Sequence, residues 1–78
     1  MITINETQAA ILDLAIEYCD TTRQLRRASL EENKLRSTTD DCEKVLRAVA
    51  ERAELEQIVA ALEADLFRLT KRLQEEQE

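Results

Sequence analysis

The sequence contains no glycine, no proline, no histidine and no tryptophan, and each absence removes a class of chemistry. Without glycine there is no loop that could bring backbone amides up against a phosphate group. Without histidine there is no imidazole to act as a base near neutral pH or to ligate a metal. Aromatic residues are nearly missing as well, with one tyrosine and one phenylalanine, Tyr18 and Phe67. The two cysteines, Cys19 and Cys42, have no C-x-x-C spacing and no histidine to complete a tetrahedral site. Neither a cofactor nor a metal is therefore expected, and the thiols are expected to pack in the interior as free cysteines commonly do. Long apolar runs are also lacking. The longest stretches without a charge, Thr7 to Leu12 and Gln57 to Leu62, fall far short of the roughly 18–20 residues that cross a bilayer. The first residues carry no basic, apolar leader pattern, so a cytoplasmic protein with reduced thiols and no membrane contact is expected.

What is present is charge and aliphatic side chains. Charged residues make up 36% and hydrophobic residues 44% of the 78 positions, a balance typical of long helices and coiled coils rather than of globular enzymes or disordered tails. Eleven basic against 17 acidic residues give a net charge of -6, which opposes nonspecific attraction to nucleic acid or anionic lipid. Carboxylates are plentiful, but paired-acid catalysis needs a cleft that raises one pKa, and aliphatic helix seams supply none. A non-enzymatic protein without a small-molecule substrate is expected.

Periodicity predicts an all-α protein of one domain spanning residues 1–78. Helix one is expected over about 6–35, a turn over about 36–39, and helix two over about 40–76. In the first segment Leu14, Tyr18, Leu25, Ala28 and Leu35 fall on one stripe at alternating spacings of 4 and 3 if Thr21 and Glu32 are admitted to it. Its N-terminal half, with Ile11, Leu12, Leu14 and Ile16, is too apolar for a helix with a single neighbour. The second segment has a cleaner heptad seam: Val45, Ala48, Arg52, Leu55, Val59, Leu62, Leu66, Leu69 and Leu73, interrupted only by Arg52. Arg52 is expected either to snorkel toward a carboxylate such as Glu56 or to penalise alternative registers. A further stripe, Leu46, Val49, Ala53, Ala60, Ala64 and Phe67, runs beside the seam.

The segment Asn33 to Asp41, rich in Ser, Thr, Asn and Asp, is the one credible break, because such side chains compete for backbone hydrogen bonds. Asp40 with Glu43 three residues on reads as a capping box for helix two. An antiparallel hairpin is therefore expected, with one continuous helix as the alternative. A turn at 36–39 sets level those residues whose numbers sum to about 75. That register keeps the two thiols about 20 Å apart and leaves Leu69 and Leu73 to be covered by Ile2 and Ile4. Two helices cannot bury stripes this wide, so the hairpin is expected to dimerise into a four-helix bundle or coiled-coil assembly.

The function expected from this plan is a protein-protein interaction module, a small adaptor, chaperone or inhibitor that acts through helix-on-helix contacts. Its partners are expected to be a second copy of itself and another protein. The candidate contact residues are Ile11, Leu12, Ile16, Leu62, Leu66, Phe67, Leu69 and Leu73, on whichever stripe the dimer leaves open. The only basic cluster offers a different reading, an RNA-binding hairpin dimer using Arg23, Arg27 and Lys34. It is similar, in plan alone, to small plasmid-control proteins of the Rop type. Glu31 and Glu32 inside the cluster and the net charge make nucleic acid the less favoured partner. A structural coiled-coil or assembly element without a separate ligand is the third reading.

Overall fold

A computed structural model describes residues 5–77 of the chain. Two long helices, α1 (Glu6–Thr38) and α2 (Cys42–Gln77), pack against each other as an antiparallel hairpin. Each helix start is built from polar side chains. The Asn5 carboxamide oxygen accepts from the Gln8 amide at 2.8 Å while the Gln8 side chain accepts from the Asn5 amide at 3.0 Å, a reciprocal cap. The Asn5-x-x-Gln8 spacing is the sequence signature of this cap.

The turn lies three residues beyond its expected place. Ser37 and Thr38 do not break α1, because their hydroxyls donate back to the Asn33 and Lys34 carbonyls one turn earlier and remain in the helix. Thr39 then turns extended, with φ -131° and ψ 146°, its amide still bonded to the Leu35 carbonyl. The cap of α2 is Asp41 rather than Asp40: its Oδ1 accepts from the amides of Glu43 and Lys44 at 3.1 and 3.4 Å. With Lys44 at the third helical position no reciprocal bond forms, so the expected Asp40–Glu43 capping box is replaced by a one-sided cap. No described residue has a positive φ, which is how a chain without glycine makes this connection.

Moving the turn changes the register. Thr7 donates to Glu76 at 2.9 Å, Tyr18 to Glu63 at 2.9 Å, and Arg52 to Glu32 at 2.8 Å. Residues whose numbers sum to about 82 are therefore level, not those summing to 75. Leu69 and Leu73 lie opposite Leu14 and Ala10, and the expected cover from Ile2 and Ile4 falls outside the described residues.

The seam follows the expected periodicity. In heptad terms, Thr7, Ile11, Leu14, Tyr18, Thr21, Leu25, Ala28, Glu32 and Leu35 alternate d and a along α1, and Val45 through Leu73 alternate a and d along α2. All of them are buried or half-buried. Thr21 is tolerated because its hydroxyl donates to the Glu17 carbonyl at 2.8 Å. Glu32, only 7% exposed, receives the Arg52 Nε on one carboxylate oxygen and lies 3.6 Å from Arg36 Nε on the other. Arg52 also donates to Glu56 at 2.7 Å. The seam pair Arg52 and Glu32 is thus flanked by Arg36 and Glu56 at the seam's edge, and the carboxylates hold the Arg52 pKa above its ordinary value, Glu32 contributing most.

The particle measures 58 × 22 × 13 Å, which is one helix thick. No described side chain is wholly buried; the deepest hydrophobic ones are Ala48 and Leu62. The expectation of interior cysteines is overturned, since Cys19 and Cys42 are both exposed. Cys19 follows the seam residue Tyr18 by one position, which rotates it about 100° away, and Cys42 precedes the first seam residue of α2. In the observed register the two thiols are separated by about 32 Å along the hairpin.

Candidate interaction face

Positions e and b of each heptad flank the seam on one side, and g and c flank it on the other. In an antiparallel pair the e and b positions of both helices share one broad face of the hairpin. The grooves agree with this assignment. Arg36 and Val49, both e, meet over Thr39 and Val45 near the turn. Ala10 and Arg72, both g, meet over Thr7 and Leu69 at the open end. Leu14 and Leu69 line a second groove on the g side with Asp65 and Arg68.

The two faces differ in chemistry. The g and c positions carry Asp13, Glu17, Asp20, Arg27, Glu31 and Lys34 on α1, with Lys44, Arg47, Glu51, Glu54, Arg68 and Arg72 among those on α2, nearly all of them exposed. Ile58 is the large apolar exception. Ion pairs of Arg47 with Glu43 and of Arg68 with Asp65 occur at this side, all solvated and of small energetic weight. The e and b positions instead carry Leu12, Ala15, Cys19, Thr22 and Ser29 on α1, and Leu46, Val49, Ala53, Ala60 and Phe67 on α2. Phe67 is 72% exposed, and Leu12 and Leu46 are also mostly open to solvent. Ile16 lies at the outer edge of this face, where with Leu12, Ala15 and Cys19 it lines a shallow depression ending at Arg23.

Charges on the apolar face are few and sorted by helix. α1 presents only cations there, Arg26 and Arg36, and α2 presents only anions, Glu56 and Glu63. Arg36 is engaged by Glu32, Glu56 by Arg52, and Glu63 by the Tyr18 hydroxyl. Among the described residues Arg26 makes no ion pair.

The eight residues expected to form the contact separate into two groups. Ile11, Leu62, Leu66, Leu69 and Leu73 line the seam inside the hairpin, with Leu62 only 7% exposed. They are consumed by the packing of α1 on α2 and do not form an open stripe. Leu12, Ile16 and Phe67 stand exposed at the same end of the molecule, since 16 and 67 are level in this register. The expectation missed Leu46 and Val49 near the turn; the second stripe of α2 already contained both. Tyr18 and Phe67 part company: Tyr18 is half-buried in the seam, while Phe67 is open.

The basic residues Arg23, Arg27 and Lys34 do follow one another along the outer side of α1. Arg23 lies 3.7 Å from Asp20, and Glu31 stands between Arg27 and Lys34. No cluster of three or more metal-ligating side chains occurs among the described residues, and none of their helices is long and apolar enough to cross a membrane. No family model, no curated protein and no solved structure matches the chain.

Proposed function

We propose that this chain is a non-enzymatic protein-protein interaction module that works as a homodimer and engages another protein through helix-on-helix packing, as a small adaptor, chaperone or inhibitor does. The observation that carries the reading is the asymmetry of the hairpin. One broad face holds open Leu12, Leu46 and Phe67 with four charges, while the opposite face is charged along its length. A water-facing helix pair has no use for such a face, and large apolar side chains left open on one side of a molecule mark interaction sites in soluble proteins. The thin interior adds to this, because a core of this size rarely supplies more than about 3–5 kcal/mol by itself. Covering the open face with more helix supplies the missing burial and completes a four-helix bundle.

Light scattering after size exclusion, run with reductant at two concentrations about tenfold apart, tests the self-association. The expected mass is twice 9.0 kDa at both. A mass that remains at one chain while the far-ultraviolet signal stays helical would refute the homodimer and leave a foreign helix as the face's occupant.

A further inference from the structure

We infer that two copies bring their apolar faces together about a two-fold axis parallel to the hairpin, with both turns at the same end and α1 of each copy stacked on α2 of the other. This rests on the reading of the chain as self-associating and adds the arrangement.

Charge sorting decides between the two ways in which antiparallel hairpins can pack face to face. If the turns lie at opposite ends, α1 stacks on α1 and α2 on α2. Arg26 and Arg36 then share one half of the interface while Glu56 and Glu63 share the other, at whatever sliding offset the copies adopt. Like charges brought together at an interface are costly. With the turns at the same end, the cation-bearing helix of each copy lies on the anion-bearing helix of the other, twice by symmetry.

The same-end axis also removes the freedom to slide, because rotation about the long axis leaves every residue at its own height. The register within the hairpin then fixes the register between copies, and residues whose numbers sum to about 82 face each other across the interface. Arg26, the cation on this face without a carboxylate partner among the described residues, comes level with Glu56 of the second copy. Phe67 comes level with Ala15, and Ser29 with Ala53, so the largest side chain of the face meets a small one and small residues let the backbones approach. The broad side of the hairpin, 58 Å by 22 Å, leaves room for the about 800 Å² that one partner contributes to a typical stable interface.

Distances between spin labels test the arrangement. Cys42 sits beside the turn, so in the Cys19→Ser variant a nitroxide on Cys42 is expected less than about 35 Å from its mate. Opposite-end packing with the two faces fully overlapped instead separates the two by roughly 50 Å. A second labelled variant, Gln24→Cys with both native cysteines changed to serine, reports from mid-height on the charged face. It gives a dipolar signal in either dimer and none from a monomer. Absence of that signal would defeat the self-association reading, and the arrangement with it. A signal at position 24 together with a long Cys42 distance would defeat the arrangement and leave the dimer standing. Arg26→Glu supplies the energetic arm: the dimer dissociation constant is expected to rise roughly tenfold or more at low salt and less at high salt. An unchanged or tighter dimer is what opposite-end packing requires, and it would overturn the proposal.

Discussion

Tyr18 shows how a single polar tip ties the helices together. Its ring fills an a position of the seam while its hydroxyl reaches Glu63 across the hairpin at 2.9 Å. Hydrogen bonding to that carboxylate, and then its negative charge, raise the phenol pKa above the ordinary 10.0. Because the folded value lies above the unfolded one, the contribution to stability is fully present below pH 10 and is lost as pH rises through the folded pKa. Ultraviolet titration of the phenolate is therefore expected to give a midpoint above 10. Glu63→Gln, which keeps an acceptor and removes the charge, is expected to bring that midpoint down. A midpoint indifferent to Glu63→Gln would mean that the two side chains do not meet in solution. The seam around Tyr18 was legible because period is encoded directly in residue type, and even Thr21 and Glu32 were placed correctly by position against their polarity. What supports Glu32 was not legible, since its partners Arg36 and Arg52 come from different helices and depend on a register that only the turn determines.

At the scale of the element, the turn governs everything that crosses the hairpin. Three Ser and Thr hydroxyls in a row looked like a break, yet Ser37 and Thr38 satisfy themselves on carbonyls behind them and prolong α1. The choice between Asp40 and Asp41 as cap is a difference of one residue in sequence. Together with the longer α1 it moves the cross-hairpin register by about seven residues. Leu69 and Leu73 keep their expected seam positions and, in the shifted register, lie level with Leu14 and Ala10. Replacing Asp41 by alanine is expected to cost about 1 kcal/mol, from losing the acceptor for the Glu43 and Lys44 amides. Asp40→Ala is expected to change stability by less than about 0.5 kcal/mol. Chemical denaturation of the two variants side by side checks the assignment, and equal losses would return the cap to an equilibrium between the two aspartates.

The whole molecule is a plate with unlike sides, and that property was only partly visible in the sequence. Residues of one face recur at e and b on both helices, so recognising the face requires knowing that the helices are antiparallel and which seam positions they share. The stripe Leu46, Val49, Ala53, Ala60, Ala64 and Phe67 is plain on α2, whereas on α1 the sequence shows only a surplus of apolar residues around Leu12 and Ile16 without assigning it to a face. Two large apolar side chains consequently have different duties. Leu62 holds α1 to α2, and Leu62→Ala is expected to cost about 2–3 kcal/mol at every protein concentration, the low end of such losses because the site can relax toward solvent. Phe67 touches little within its own chain, so Phe67→Asp is expected to act on association instead. For a chain that folds as the proposed dimer, the wild-type melting midpoint should rise with protein concentration, because folding and association are then coupled by mass action. Leu62→Ala should shift that line down without flattening it. Phe67→Asp should flatten it, giving one low midpoint at all concentrations, since a carboxylate beside Ala15 of a second copy would be buried without a partner. If Phe67→Asp retained the wild-type slope, the open face would not be the surface through which copies meet.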